Sequence, residues 1–166
     1  YVYGDKEKAI EEIPGGYQNK NGVVGILGVK DTMETPFQQT NLAQKTINTF
    51  AATPSEQSVN VLINVPSIRN SGSTLYNDFS IRGIASNAYQ FRINGIPGLL
   101  SQTNIPMNMV GSATVISGPG LGVTGVQAKE SAGGVVELQT KRAGDKDITD
   151  WTTYFSGRST WGNAVD

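Results

Sequence analysis

SATVISGPGLGVTGVQAKESAGGVVELQTK, residues 112–141, joins two strand-like runs by a loop rich in glycine. The runs at 112–118 and 133–141 are short, contain β-branched residues and are bounded by glycine, a pattern typical of strands. The segment between them has room for two helical turns at most, which is too short for the crossover of a strand–helix–strand unit. The stretch therefore predicts two strands that are joined by a loop.

The loop also contains GLGVTG, residues 120–125, which has the G-x-G-x-x-G spacing of dinucleotide-binding loops. Such a site needs a preceding strand, a helix that begins inside the motif, and an acidic residue about 20 positions later at the end of a second strand. Pro119 separates the motif from the first strand, and Glu137 falls in the middle of the second. We therefore interpret the motif as a packing loop and expect no nucleotide site.

The composition excludes several classes of function. The chain has 166 residues, 37% of them apolar, a formal net charge of -1, and neither histidine nor cysteine. Without imidazole or thiolate, the usual zinc, copper and iron–sulfur sites and the Ser-His and Cys-His nucleophile pairs are excluded. The near-zero net charge gives no reason to expect a nucleic-acid partner. We expect a single domain with tails, no enzyme activity, and no resident cofactor or metal.

Short helices are expected in the N-terminal half, after an extended piece. Residues 23–29, VVGILGV, are mostly apolar with β-branched members and are expected to be extended. Thr40 or Asn41 is expected to cap a first helix. A second helix is expected to begin at Thr53 and to end before Pro66, because the residue that precedes a proline disfavours the helical conformation.

Alternating patterns predict further strands in the C-terminal half. FSIRG, residues 79–83, and YQFRING, residues 89–95, both alternate in this way. Arg82 and Arg92 are therefore expected to lie in strands, where the ordinary role of an arginine is a charge that faces solvent. The pair Asn94-Gly95 is a strong signal for a tight hairpin turn.

Three groups of residues, taken in order, carry a resemblance to a known family. The groups are Ile81-Arg82-Gly83, then Asn94-Gly95-Ile96-Pro97, then Ser117-Gly118-Pro119 followed by Thr124-Gly125 and by GGVVELQTK at 133–141. In this order and at these separations the sequence resembles the plug domain of TonB-dependent outer-membrane receptors of the siderophore-receptor type. The resemblance covers residues 30–142.

This resemblance implies an α+β fold, with a small mixed β-sheet, short helices and long loops, followed by the first strand of a 22-stranded β-barrel. It also implies three parts of the chain. Residues 1–22 are expected to form a flexible N-terminal arm with the segment that contacts TonB, residues 23–142 the plug domain, and residues 143–166 a linker and the first barrel strand.

The resemblance further implies a gate that occludes the barrel and contributes to the binding and energised import of a ferric siderophore or a similar metal complex. The implied partners are the chain's own C-terminal β-barrel, a TonB-type periplasmic energy-transducing protein, and the iron chelate. The plug would lie within the barrel at the outer membrane, with the arm in the periplasm. Because the chain has no His or Cys, any iron is expected to arrive already chelated.

The resemblance also points to site residues. Loop apices expected to contact the ligand contain Arg69, Ser73, Tyr76, Asn87, Tyr89, Leu100 and Gln102. Contacts between plug and barrel are expected at Arg82, Gly118, Pro119 and Gly125. Ser117 departs from the family pattern, since the family commonly has there an arginine that pairs with a carboxylate of the barrel wall. Arg82 matches the arginine of the family's I-R-G motif and is the preferred candidate for such a pair.

The end of the sequence leaves a second interpretation open. WTTYFSGRSTWG, residues 151–162, follows a charged linker and alternates apolar and polar residues as one strand would. The chain could instead be a free-standing β-rich adhesion or carbohydrate-binding module, with this strand in its own sheet. Trp151 and Trp161 suit a carbohydrate platform, but the strand alternation and their position favour the aromatic girdle of a barrel strand.

Overall fold

The computed structural model describes residues 9–50, 58–70, 78–87, 90–99, 105–118, 132–144, 149, 151–156 and 160–165. The strands are β1 (Asn21–Val23), β2 (Val29–Asp31), β3 (Gln38–Leu42), β4 (Ile68–Asn70), β5 (Asp78–Ile81), β6 (Ile84–Asn87), β7 (Phe91–Ile93), β8 (Ile96–Pro97), β9 (Val110–Ser117), β10 (Gly134–Thr140), β11 (Trp151–Ser156) and β12 (Thr160–Val165). The α-helices are α1 (Gln44–Phe50) and α2 (Ser58–Leu62), and 3-10 turns span Gly25–Leu27 and Met107–Met109. None of the helices in these ranges is long and apolar enough to cross a membrane.

A five-stranded mixed sheet in the order β3-β9-β10-β7-β8 forms the centre of the fold. The two strands predicted from residues 112–141 are β9 and β10, and they pair antiparallel. Strand β7 runs parallel to β10, which is possible because a long connection separates the two in sequence. The mixed sheet and the short helices confirm the predicted α+β class.

One face of this sheet carries the hydrophobic core. Residues paired across neighbouring strands point to the same face, and Phe91, Val136 and Val115 form one such row. This row packs in one buried cluster with Ile47 of α1 and Val61 of α2. Full burial of an aliphatic or aromatic side chain contributes about 1.5–3 kcal/mol, so this face stabilises the five-stranded sheet.

Strands β4, β5 and β6 form a second, three-stranded antiparallel sheet with two distinct ends. The turn Arg82-Gly83 closes one end, between the paired residues Ile81 and Ile84. The ends of β4 and β6 and the start of β5 lie at the other, where Asp78 is paired with Asn87. Residues at the two ends of this small sheet therefore face different surroundings.

The extended piece predicted at residues 23–29 is wrong. The chain reverses there through the 3-10 turn at Gly25–Leu27, and β1 pairs antiparallel with β2. Gly25 and Gly28 adopt positive φ angles of 47° and 68°, which glycine accepts without steric cost. Glycine at these two positions therefore converts an apolar run into a hairpin.

The predicted start of the first helix is also wrong. Thr40 and Asn41 belong to β3, where Thr40 pairs with Val115 and Asn41 with Thr114 of β9. The ladder with β9 satisfies the backbone groups of these residues, so their capping propensity is overridden, and α1 begins at Gln44. The predicted second helix is described from Ser58 to Leu62 and ends before Pro66, as expected; its expected start at Thr53 lies outside the described residues.

Residues 9–22, the described part of the predicted arm, are hydrogen-bonded to the main sheet. The Asn19 amide donates to the Asn41 carbonyl at 3.0 Å, and the Ala43 amide donates to the Tyr17 carbonyl at 3.2 Å. Glu12 and Asn19 form an antiparallel bridge within the segment itself. This segment is therefore attached along one edge of β3.

Residues 151–162 do not form one strand. They contribute to β11 and β12, which pair antiparallel with Phe155 opposite Trp161. The alternation of apolar and polar residues can continue from one strand of a hairpin through the turn into the next. The alternation alone therefore did not reveal that the chain reverses direction here. The predicted single terminal strand is thus corrected to a two-stranded hairpin.

Candidate functional site

Arg82 had been expected to lie in a strand, but it lies in a tight turn. Its φ angle is 52° and that of Gly83 is 81°, so both central residues of the turn are left-handed. Such turns match the twist of the flanking strands, but a left-handed arginine is uncommon. The Arg82 amide donates to the Ser67 carbonyl at 2.8 Å, which fixes the turn against the start of β4.

The Arg82 side chain borders a cleft of about 370 Å³. Its Nη2 donates a hydrogen bond to Oε1 of Gln38, at the exposed end of β3. The cleft is lined by Pro36, Phe37, Gln38, Arg82, Ile116, Ser117 and Gly118. None of these described lining residues is acidic, so the guanidinium makes the cleft electropositive. The arrangement can accept a carboxylate by charge-assisted hydrogen bonds.

Ser117 and Gly118 of the predicted motif also line the cleft. Ser117 is only 3% exposed, and its hydroxyl lies 3.0 Å from the hydroxyl of Ser67. The Gly118 amide donates to the Gly133 carbonyl at 2.9 Å. Ser117 therefore joins the two sheets, and Arg82 is the cation that reaches the cleft. Of the four predicted barrel contacts, the structure brings together Arg82 and Gly118; Pro119 and Gly125 lie outside the described residues.

The predicted ligand contacts that can be placed belong to the three-stranded sheet. Arg69 lies in β4 opposite Ser80 and is exposed, and its Nη1 donates to the carbonyls of Pro66 at 2.9 Å and Ile68 at 2.8 Å. Asn87 ends β6 opposite Asp78. Asn87 thus lies at the end of the sheet opposite the Arg82 turn. Ser73, Tyr76, Tyr89, Leu100 and Gln102 lie outside the described residues.

Arg92 had been expected to face solvent, but it forms a buried ion pair. Its Nε lies 3.1 Å from Oε2 of Glu137, and the two side chains are 8% and 0% exposed. The Glu137 Oε1 accepts a hydrogen bond from the Gly95 amide at 2.5 Å, and Arg92 Nη2 donates to the Gly95 carbonyl at 2.5 Å. The pair therefore fixes the turn after β7 to the central strand β10.

Burial governs the protonation of Glu137. Removal of the carboxylate from water raises the pKa of Glu137 above the ordinary value of 4.5, while the Arg92 guanidinium and the Gly95 amide act in the opposite direction. A buried pair of this kind is costly to break, because removing one partner leaves an uncompensated charge.

Asn94 makes the second connection between this turn and β10. It adopts a φ of 50°, and its Oδ1 accepts from the Thr140 amide at 3.0 Å while its Nδ2 donates to the Thr140 hydroxyl at 2.9 Å. The Asn94-Gly95 turn was predicted from sequence and is confirmed. Its attachment to β10 was not predicted.

The ion pair was missed although the sequence contains a signal for it. Glu137 interrupts an otherwise apolar start of β10, GVVELQT, and a charge inside such a strand needs a partner. Sequence alone did not identify Arg92 as that partner, because β7 and β10 lie far apart in the chain and their parallel register was unknown. Among the described residues no group of three or more acidic residues could hold a metal ion.

Residues 31–135 match the model of the family described as the TonB-dependent Receptor Plug Domain. Among curated proteins, the chain is similar to the ferrichrome receptor FcuA of Yersinia enterocolitica, with 28% identity over 152 residues. That alignment covers 91% of the chain and 20% of the receptor, so the chain spans about a fifth of the length of this relative.

Solved structures give the same fold. The ferric preacinetobactin receptor BauA of Acinetobacter baumannii matches 96% of the chain with a TM-score of 0.79 and 28% identity, over 23% of its own length. The pyoverdine outer-membrane receptor FpvA of Pseudomonas aeruginosa PAO1, solved with pyoverdine bound, matches 99% of the chain and 26% of the receptor, with a TM-score of 0.66 and 19% identity. At that identity the second likeness concerns the fold alone.

Proposed function

The chain belongs to the family of TonB-dependent receptor plug domains, and on that premise we propose that it is the gate of an outer-membrane receptor for a ferric siderophore or a similar metal complex. The family match over residues 31–135 carries this proposal. The relatives named above, receptors for ferrichrome and for ferric preacinetobactin, support an iron chelate as the ligand class. The gate occludes a surrounding β-barrel and contributes to binding and energised import.

The electropositive cleft supports a contact with the barrel. Arg82 is exposed, is held in a fixed turn, and borders a cleft whose described lining residues include no carboxylate. A carboxylate of the barrel wall fits this site, because an arginine and a carboxylate form strong charge-assisted hydrogen bonds. Gly118 leaves room for close approach, since an added Cβ there meets nothing within 4 Å. Pro119 and Gly125 extend the proposed contact.

The ligand contacts are proposed at the opposite end of the three-stranded sheet. Asn87 supports this placement, because it lies opposite Asp78 at the end of the sheet away from the Arg82 turn. Arg69 is exposed in the outer strand β4, where its guanidinium is hydrogen-bonded to the carbonyls of Pro66 and Ile68 at the start of the strand. An exposed guanidinium suits an anionic chelate. The same surface is proposed to include Ser73, Tyr76, Tyr89, Leu100 and Gln102.

The N-terminal arm is proposed to contact a TonB-type energy-transducing protein in the periplasm. Cells that produce the receptor containing this chain should bind and import ferrichrome, ferric preacinetobactin or ferric pyoverdine labelled with radioactive iron. Deletion of residues 1–12 should abolish import and leave binding unchanged, and replacement of the same residues by a scrambled sequence should do the same. Import that survives the deletion contradicts the role of the arm, and failure to bind any iron chelate contradicts the receptor itself.

A further inference from the structure

Two asparagines of the chain are followed directly by glycine, Asn21 by Gly22 and Asn94 by Gly95. An asparagine in this position can modify itself. The backbone nitrogen of the next residue attacks the side-chain carbon Cγ, a C–N bond forms, and the side-chain nitrogen leaves as ammonia with the proton that the backbone nitrogen loses. Water then adds to one of the two carbonyls of the resulting succinimide, which gives aspartate or isoaspartate. Glycine favours the attack because it has no Cβ to hinder it.

The fold protects Asn21 from this reaction. Its side chain is 1% exposed, and both of its polar atoms are held. Oδ1 accepts a hydrogen bond from the Glu11 amide at 2.9 Å, and Nδ2 donates one to the Ala9 carbonyl at 2.9 Å. Gly22 is packed so closely that an added Cβ would lie 2.1 Å from Oδ1 of Asn41. Asn21 is therefore kept away from water and has little room to turn toward the Gly22 nitrogen.

Asn94 lies in different surroundings. Its side chain is exposed in a two-residue turn, where Asn94 and Gly95 have φ angles of 50° and 84°. Water therefore reaches the side chain, as the second step of the reaction requires. Turns at the surface are also more mobile than the strands they connect, so the backbone of this turn can adjust to bring Cγ and the Gly95 nitrogen together.

Two residues of β10 restrain the reacting groups of this turn. Thr140 holds the side chain, because its amide donates to Oδ1 of Asn94 at 3.0 Å and its hydroxyl accepts from Nδ2 at 2.9 Å. Glu137 holds the attacking group, because its Oε1 accepts from the Gly95 amide at 2.5 Å. Nδ2 must leave as ammonia and the Gly95 nitrogen must turn toward Cγ, so these hydrogen bonds have to break first. The folded chain therefore slows the reaction at Asn94.

We propose that Asn94 is a site of spontaneous deamidation and that its contact with Thr140 sets the rate. Thr140 has this role because it binds both polar atoms of the side-chain amide that reacts. The contact is at the surface, where water can replace its hydrogen bonds, so it opens more readily than the buried contact of Glu137. This inference concerns the chemistry of the chain itself and goes beyond the proposed import function.

The two products have different effects on the turn. Aspartate leaves the main chain unchanged, and its oxygens can still accept from the Thr140 amide and hydroxyl, so the turn is kept with one more negative charge. Isoaspartate adds a methylene group to the main chain and shifts Gly95 relative to Glu137. The buried carboxylate then loses the hydrogen bond from the Gly95 amide, which is costly for a charged group. Isoaspartate should therefore loosen the hairpin of β7 and β8.

The first test compares the two asparagines in the 166-residue chain. Trypsin cuts after Lys20, Lys30, Arg92 and Lys129, so the two sites fall in separate peptides in which mass spectrometry can follow the conversion of amide to acid. In mildly alkaline buffer Asn94 should react at least about tenfold faster than Asn21, because the turn opens locally without global unfolding. In urea the two should react at similar rates, since glycine follows both. If Asn94 reacts as slowly as Asn21 in the folded chain, the inference is wrong.

The second test addresses Thr140 by matched variants. Thr140→Val keeps the β-branched shape and removes the hydroxyl, so Asn94 should react about two- to tenfold faster, as expected for the loss of one hydrogen bond. Thr140→Ser keeps the hydroxyl and should react like the native chain. Thr49→Val is the control, because the Thr49 hydroxyl donates to the Lys45 carbonyl at 2.7 Å within α1, and it should leave the rate at Asn94 unchanged.

Asn21 keeps the second test decisive, because a variant that loosens the whole fold would expose both asparagines. Acceleration at Asn94 alone in Thr140→Val supports the inference. Equal acceleration of Asn21 and Asn94, or an unchanged rate at Asn94, overturns the role of Thr140.

Discussion

At the scale of single residues, the buried pair of Arg92 and Glu137 shows how one charge can determine a local arrangement. Glu137 is fully buried, and both of its oxygens are used: Oε2 faces Arg92 and Oε1 accepts from the Gly95 amide. Burial of these groups is tolerated because each is paired or hydrogen-bonded. The pair therefore specifies the position of the turn after β7, at the cost of removing two charges from water.

Because burial raises the pKa of Glu137, this residue should make stability depend on pH. The folded chain holds the Glu137 proton more tightly than the unfolded chain, so the associated contribution to the free energy of unfolding is fully present below the ordinary value of 4.5. It is lost as the pH rises through the folded-state pKa. The free energy of unfolding of the native chain minus that of Glu137→Gln should therefore decrease from pH 4 to about pH 7.

Urea denaturation of both proteins across this range measures that difference. Comparing the two proteins cancels other titrating groups, including Asp31, whose pKa is lowered chiefly by a hydrogen bond from the Met33 amide and which acts with the opposite sign. A difference that stays constant, or increases with pH, would contradict a raised pKa for Glu137.

At the scale of elements, the hairpin of β7 and β8 depends on the conformation of its turn and on one side chain. Asn94 supplies both the left-handed φ of 50° and the hydrogen bonds to Thr140. Asn94→Ala should lose both and destabilise the chain by about 1–3 kcal/mol, since alanine disfavours this conformation and the Thr140 amide loses its acceptor. Asn94→Gly keeps the conformation and should lose less. Thermal unfolding of the two variants separates the contributions, and equal melting temperatures would show that the conformation contributes nothing.

The elements also show what the sequence could and could not predict. β9, β10 and the Asn94-Gly95 turn were predicted because β-branched runs and turn residues determine them locally. The Thr40 helix cap failed because pairing with β9, more than 70 residues away, favours a strand. The hairpins at residues 23–29 and 151–162 failed because two glycines with positive φ reverse the first, and because alternation does not reveal a reversal in the second.

In the candidate site, too, locally determined features could be predicted from the sequence, and features that depend on distant strand pairing could not. The N-G-I-P motif predicted the β7–β8 turn, since this motif describes local geometry, whereas the prediction that Arg82 lies in a strand was wrong, because Arg82 lies in the turn between β5 and β6. The conformation of Arg82, its cleft with Gln38, and the Arg92–Glu137 pair could not be predicted, because each depends on the register between strands that are distant in sequence. The predicted contacts Ser73, Tyr76, Tyr89, Leu100 and Gln102 stay predictions.

At the scale of the whole molecule, the three-stranded sheet separates two proposed contacts. Arg82 lies in the turn at one end, beside the electropositive cleft, and Asn87 lies at the other. Arg69 belongs to the outer strand β4 of the same sheet and is exposed. The proposed barrel contact and the proposed ligand contact therefore involve different arginines, Arg82 and Arg69.

Two matched arginine variants in the whole receptor should therefore each change one property, permeability or chelate binding, and leave the other unchanged. Arg82→Gln removes the cation from the cleft, so the plug should seat less firmly and cells should become more permeable to a large antibiotic such as vancomycin, while binding of the iron chelate that the native receptor binds is unchanged. Arg69→Gln should weaken binding of that chelate by about tenfold, as loss of a charge-assisted hydrogen bond does, and leave vancomycin sensitivity unchanged. Both are measured in the same strain at equal receptor levels. If either variant changes both properties together, the two proposed contacts are not functionally separate. If Arg82→Gln leaves permeability unchanged, the cleft is not where the plug contacts the barrel.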